Sequence, residues 1–375
     1  MRVRIAGMGW VTPLGSGVLE VWDRLLRGEE AAARKISDPV GANTYTVFGV
    51  PDLALPDLPP HPRLRRASSI SRFAAGAGLA ALNDAGLTSN AEAAQRIALV
   101  FAISNGGVIY TKRFYHDIVA AGADTARPLL FPETVFNAPA SHLAAIIGIT
   151  GRSYTLVGDG AVGLFAIRMA EDLMANKELD YCLIVGAEEA DWLLCDAYRK
   201  WRLLRSEPPI EPFRKPAKGM ILSEGAGAIL LGRKGPVQID ITHAGTHYSK
   251  RREAGESLKR VLRCVGPANS AIVIASANGT FIDEAEAHAV SEDLPEAIVY
   301  TPKIALGESV GAGSLWQVIV AALALRTGRL PPLLHVTSDI PFRVPTSSVN
   351  TTESDRAIVL SCGLNQQVAG LRLSI

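Results

Sequence analysis

The 375-residue chain lacks the features that would give a simple chemistry away. Its four cysteines, Cys182, Cys195, Cys264 and Cys362, show no CxxC or other metal-ligand spacing, which argues against a thiolate-built metal centre. Cys182 and Cys362 lie inside apolar runs and are expected as buried core thiols, consistent with a reducing cytoplasm. Charge of one sign is also missing. With 38 Lys and Arg against 37 Asp and Glu the net charge is +1, so nothing draws the whole molecule to nucleic acid or a membrane surface. No apolar run is long enough to span a bilayer, and the opening "MRVRIAGMGWVTPLG" lacks the long apolar core of a signal peptide. Short-period repeats and low-complexity segments are absent. What remains is a chain of 48% hydrophobic residues with 34 glycines and 22 prolines. That is a turn-rich globular protein, large enough for a sizeable core as one domain or as two fused halves.

Strand-like runs alternate with amphipathic helical ones, which predicts α/β layering. Strands are expected over 96–104, 154–158, 181–190 and 227–233, and helices over 71–87 and 161–178, where apolar residues recur every three or four positions. Gly-Pro in "GRKGPVQ" marks a seam, after which the alternation begins again. Two similar α/β halves, 1–233 and 234–375, follow as the expected domains. Residues 51–62 ("PDLALPDLPPHP") read as a proline-rich surface loop.

One stretch, "TLVGDGAVGLFAIRMAEDL" (155–173), suits two chemistries. Gly158, Gly160 and Gly163 have the G-x-G-x-x-G spacing of a dinucleotide turn between a strand and a helix, and Glu188 or Glu189 ends the next strand, where a ribose hydroxyl would sit. Against that reading, the unit lies in mid-chain, and Asp159 would oppose a pyrophosphate at the helix N-terminus. Alternatively the glycines merely allow a tight turn and close helix packing. The same shape is also a nucleophile elbow, yet the turn holds no cysteine, serine or threonine.

Four further segments occur in order: "GMGWVTPLGSGVLEVWDRLLRG" (7–28), "PFRKPAKGMILSEGAGAILL" (212–231), "PKIALGESVGAGS" (302–314) and "SCGLNQQVAGLRL" (361–373). In order and spacing the chain resembles the β-ketoacyl-[acyl carrier protein] synthase family from end to end. The resemblance implies an α/β thiolase fold, two pseudo-symmetric βαβαβαββ halves in a five-layer α/β/α/β/α stack. It also implies condensation of an acyl thioester with malonyl on a carrier protein, normally by a dimer.

At the family's three catalytic positions this chain departs from the pattern. Gly160 stands where the resemblance puts the nucleophilic cysteine, and glycine has no atom to carry an acyl group. Asn278 in "SANGTFIDEAEA" stands at the first histidine position, in a loop that looks shortened before Asp283 and Glu286. In "KIALGESVGAG" the family's lysine is kept as Lys303, while Glu308 replaces the second histidine. The seven histidines match neither site, and the nearest, His288, is expected on a helix face. A carboxylate about 4 Å from a developing enolate costs roughly 4 kcal/mol at an effective dielectric of ~20, about a thousandfold in rate. Pairing with Lys303 would blunt that penalty by making an internal ion pair in a dead pocket. The backbone N–H groups of Gly160 and Leu364 would still form the family's oxyanion hole, although Leu364 replaces an aromatic gate and "GLNQQ" a glycine-rich loop.

These substitutions point to a disabled ketosynthase homologue of the chain-length-factor type, supporting an active ketosynthase in fatty-acid or polyene-type polyketide synthesis. The expected partners are that ketosynthase, as a heterodimer, and an acyl carrier protein, with a homodimer in isolation. No cofactor is expected beyond contact with a carrier's phosphopantetheine arm, and no nucleic acid, metal or membrane span is expected. The alternative is a repurposed thioester enzyme using Glu308 and Asn278 for acid–base work. A dinucleotide oxidoreductase working through Gly158, Gly160 and Gly163 is the third reading. Residues 106–142, with Phe114, Tyr115, Phe131 and Phe136, are expected at a dimer surface or tunnel unless they are plain core aromatics. Basic clusters at Arg63, Arg65 and Arg66, at 198–205 and at 250–253 are either solvated faces or carrier-docking sites.

Overall fold

The architecture comes from a computed structural model that describes residues 3–39, 43–52, 58–65, 67–87, 91–266, 272–337, 339–350 and 354–375. Arg66 and part of the proline-rich stretch lie outside the described residues. Strands β1 (Arg4–Thr12), β2 (Ile97–Ile103), β3 (Ser153–Val157), β4 (Tyr181–Glu188) and β5 (Gly225–Gly232) lie side by side as β3-β2-β4-β5-β1. The order repeats in β6 (Val237–His247), β7 (Ile272–Ile274), β8 (Ile298–Tyr300), β9 (Arg356–Cys362) and β10 (Gln367–Ser374), arranged β8-β7-β9-β10-β6. In each half the second strand pairs in parallel with the third and fourth, and the remaining pairs are antiparallel. The halves join where Arg4 and Ile5 pair with Gln238 and Val237.

Six helices complete the layers: α1 (Ser69–Asp84), α2 (Ala138–Ile147), α3 (Val162–Met174), α4 (Ala254–Val265), α5 (Phe281–Asp293) and α6 (Gly313–Thr327). Helices α1 and α2 cover the outside of the first half, and α4 and α5 the outside of the second. Helices α3 and α6 pack against strands of both halves and against each other, forming the middle layer. This is the five-layer thiolase-type stack.

Sequence explains each layer. Strand β2, "IALVFAI", is buried throughout, so it reads as one apolar run rather than an alternation. Helix α6 is buried from Gly313 to Leu325, which is why it shows no polar face, and it ends at Gly328 in the left-handed region. Helix α4, by contrast, alternates buried Leu258, Val261, Leu262 and Val265 with polar residues, as an outer helix should. Helix α3 stops at Met174, short of the expected 178, because the Asn176 side chain accepts the Glu178 N–H at 2.9 Å and turns the chain. Strand β4 likewise ends at Glu188, since Asp191 caps a following helix, Trp192–Lys200, by accepting the Leu193 N–H. That helix, another over Val108–Ala121, and a small sheet of Ala33–Ser37, Thr44–Phe48 and Leu222–Ser223 were not legible in the periodicity. No helix among the described residues is long and apolar enough to cross a membrane.

Helices α3 and α6 approach closely at Gly163. A Cβ there would lie 2.5 Å from Ser314 Oγ and 2.9 Å from Leu315 Cγ. Gly163→Ala is therefore expected to destabilise the chain by about 1–3 kcal/mol, as overpacking does. Gly160→Ala should be nearly neutral, because its Cβ would meet Gly363 Cα at an ordinary 3.4 Å. Thermal unfolding of the two variants checks the contrast.

Candidate functional site

The sequence-selected residues come together at the N-terminal ends of the two central helices. Gly160 lies two residues before α3, and Glu308 five residues before α6. Between them, the C-terminal loop after β9 brings in Gly363, Leu364 and Asn365.

Asn278, Lys303 and Glu308 form one buried cluster, each at most 1% exposed. Lys303 Nζ donates to Glu308 Oε2 at 2.7 Å and to Oε1 at 3.0 Å, and Asn278 Nδ2 donates to Oε2 at 2.6 Å. The Asn278 amide is fixed in turn, because its Oδ1 accepts from Thr280 Oγ1 at 2.6 Å. Gly279 follows with φ +88, and a Cβ there would strike Gly219 O at 2.6 Å, so the Asn-Gly-Thr turn needs its glycine. Asp283 clamps this loop by accepting the N–H groups of Phe213, Asn278 and Gly279. Glu286 accepts from both Ser276 N and Ser276 Oγ. Burial pushes the Asp283 carboxyl up to about 6 and Glu286 up to about 7, against the hydrogen bonds that favour their ionised forms. Neither reaches the solvent; both hold the loop.

The N–H groups of Gly160 and Leu364 correct one expectation. They do not form a free oxyanion hole, because Asp159 Oδ1 accepts both, at 2.7 and 3.0 Å. Oδ2 accepts the Asn365 N–H at 2.6 Å. A buried carboxylate must find donors, and these are the ones within reach. A second correction follows: Asp159 does not face a phosphate position but turns across to the C-terminal loop. Burial raises its pKa, with the backbone donors opposing and the Glu308 charge adding to the rise. Position 160 itself is buried, yet it has room for a Cβ.

Above Asp159 opens a cavity of about 790 Å³, lined by Asp159, Leu364, Tyr198, Trp201, His247, Tyr248 and Arg251 among others. Gly160, Asn278, Lys303 and Glu308 do not line it. The basic stretches at 198–205 and 250–253 meet at its mouth, where Arg251 Nη2 donates to Trp201 O at 3.4 Å. Tyr198, Trp201 and Arg251 belong to the two basic clusters picked out by charge, but nothing in the sequence places those clusters beside each other or beside this cavity. Much of the first stretch is internally paired, Arg199 and Lys200 with Asp196 and Arg205 with Glu211. His288 stays on the outer face of α5, bonded to Glu256 and Glu292.

Glu188 does not meet a ribose either. It is buried, with Oε2 accepting the N–H groups of Ser104 and Asn105, and burial pushes its carboxyl up to about 8. Glu189 is less buried and is pushed up to about 7 for the same reason.

This fold and this pair of central helix ends define a thiolase-type condensing-enzyme architecture. The family model described as "Beta-ketoacyl synthase, N-terminal domain" matches residues 1–235, and the "Beta-ketoacyl synthase, C-terminal domain" model matches 237–337. The chain belongs to the β-ketoacyl synthase family. It is 24% identical to a 3-oxoacyl-[acyl-carrier-protein] synthase 2 of Vibrio cholerae, over 89% of this chain and 88% of that one. Nodulation protein E of Rhizobium leguminosarum bv. trifolii is 25% identical, with 88% of each chain covered. Among solved structures, a β-ketoacyl synthase from Burkholderia phymatum superposes with TM-score 0.88 at 18% identity, covering 100% of this chain and 99% of that one. The ishigamide ketosynthase/chain length factor gives 0.86 at 22%, covering 100% and 98%.

Two outcomes are expected. Lys303→Met leaves the Glu308 charge buried and unpaired and should cost about 3–5 kcal/mol. Adding Glu308→Gln should recover most of that loss in urea unfolding, since the amide still accepts from Asn278 and carries no charge. The second concerns pH. Asp283, Glu286 and Glu188 hold protons more tightly folded than unfolded, where carboxyls titrate near 3.8 to 4.5. Their stabilisation is complete below that range and is lost as pH rises through about 6, 7 and 8. The melting temperature should accordingly fall from pH 5 to pH 8, and Glu188→Gln should flatten the upper part of the fall.

Proposed function

We propose that this chain is a non-catalytic subunit of the chain-length-factor type, which pairs with an active ketosynthase and shapes its work on a carrier-bound acyl chain. One observation carries the reading. The position for a nucleophile is glycine, and its backbone donors are already bonded to Asp159. The two histidine positions hold an amide and a carboxylate tied to Lys303, behind the cavity wall. Acid–base work by Glu308 and Asn278 finds no support in this, since neither side chain reaches the cavity.

The surface supports pairing. Edge strand β3 exposes Tyr154 and Val157, 41% and 53% accessible. Nearby in sequence, Tyr115, Phe131 and Phe136 are exposed and Phe114 packs on Tyr115 and Phe131, so the plain-core alternative fails for the exposed three. An apolar edge of this kind calls for a cover. The solved relatives include a ketosynthase/chain length factor and, at 17% identity and TM-score 0.83, a ketosynthase in complex with its acyl-carrier protein. A carrier would dock at the cavity mouth, where Arg251 stands exposed, with its phosphopantetheine arm towards Trp201 and Tyr248.

Co-expression with a ketosynthase that retains cysteine and both histidines tests this. The two chains should co-elute on size exclusion, and omission of this one should lower condensation or change product length. Intact mass after incubation with an acyl-carrier thioester should show no adduct on this chain. A partner unaffected in every respect, or a stoichiometric adduct here, would sink the reading.

A further inference from the structure

Asp159 is bonded as a bound carboxylate is bonded. One oxygen takes the N–H groups of Gly160 and Leu364, and the other takes that of Asn365. Its seat is shaped for it. A Cβ on Gly363 would lie 1.9 Å from Oδ2, so only glycine leaves the space. Its own N–H is tied to Gln367 Oε1 at 2.8 Å, which fixes the backbone on which the side chain turns. The three donors belong to two segments about two hundred residues apart, the turn before α3 and the loop after β9. Asp159, Leu364 and Asn365 line a cavity large enough for a ligand of substantial size, and Gly160 follows Asp159 directly in the chain.

We propose that Asp159 is a built-in anionic plug: an internal carboxylate seated on the backbone donors of Gly160, Leu364 and Asn365 that keeps incoming carboxylates and acyl oxygens off them. An arriving group meets both occupied donors and a negative charge. A tethered side chain also competes at an effective concentration that a free ligand reaches only at millimolar levels or above. The inference rests on Gly160 being the vacated nucleophile position but needs no partner subunit. It adds that the pocket is closed by an occupant as well as emptied of its thiol.

Sodium acetate is the probe, followed through the ¹⁵N amide signals of residues 160, 364 and 365 in the native chain and in Asp159→Ala. The native signals should show no saturable change, and those of Asp159→Ala should shift saturably. Equal responses in both chains, or none in a folded Asp159→Ala, would overturn the plug. A second measurement guards against loss of fold. With Gly160→Cys as background, the rates of alkylation by iodoacetate and iodoacetamide are compared, so that the thiolate fraction cancels. Adding Asp159→Asn, which keeps the shape and removes the charge, should raise the iodoacetate-to-iodoacetamide ratio on the order of tenfold. An unchanged ratio counts against the proposal. These readouts are independent of co-elution, so the plug and the subunit reading fail separately.

Discussion

The close contact of α3 with α6 is the constraint on which the rest of the molecule depends. The two halves of the sheet can share a middle layer only if the helices between them pack without gaps, and here small residues make that possible. Gly163 on α3, Gly186 on β4 and Gly227 on β5 each present bare backbone where α6 or the residues leading into it press closest. The Ser314 hydroxyl then accepts the Gly163 N–H at 3.1 Å, satisfying a donor at the start of α3. Because the helices are locked in register, the residues before them are locked too. Gly160 and Glu308 are where they are because of packing several residues downstream.

That geometry also explains how several carboxyls can be buried around one lysine. Each has been given an answer to desolvation: Glu308 has Lys303 and Asn278, Asp159 has three backbone donors, and Asp283 and Glu286 have N–H groups of loops they brace. Ser276 links the set, donating to Glu286 and accepting the Cys362 N–H at 2.9 Å, while Ser361 Oγ donates to Gly160 O at 3.0 Å. The polar interior is a framework between two halves of the chain. Where a condensing enzyme needs groups free to meet a reacting oxygen, these groups are bonded to one another.

Much of this was legible from residues alone. The alternation of apolar runs gave the α/β layering, and the segments around Asn278, Lys303 and Glu308 pointed to residues that the structure bonds to one another, because short motifs carry their own turns. The ion pair of Lys303 with Glu308 needed only their five-residue spacing and the cost of leaving a charge alone. The role of Asp159 is not legible in the sequence because its partners, Leu364 and Asn365, are about two hundred residues away, and no local pattern records a contact of that range. The Trp192–Lys200 helix has little apolar period for a different reason: its buried residues, Cys195 and Tyr198, are few, and its last turn is basic. Trp201 and Arg251 likewise became neighbours only through the fold.

The space left at position 160 has a consequence for the direction in which such a chain can change. A thiol would fit there by a single substitution, since backbone and neighbours accept a Cβ. Yet that thiol would find Asp159 on its donors, and Asn278 and Glu308 bound to each other beyond it. Reversal at 278 or 308 taken alone breaks satisfied buried contacts, whereas reversal at 160 breaks none but leaves the backbone donors beside it engaged by Asp159. The site therefore resists change one residue at a time: the step that fits, at position 160, leaves Asp159, Asn278 and Glu308 bonded as before, and the steps that would free those groups each give up a buried bond.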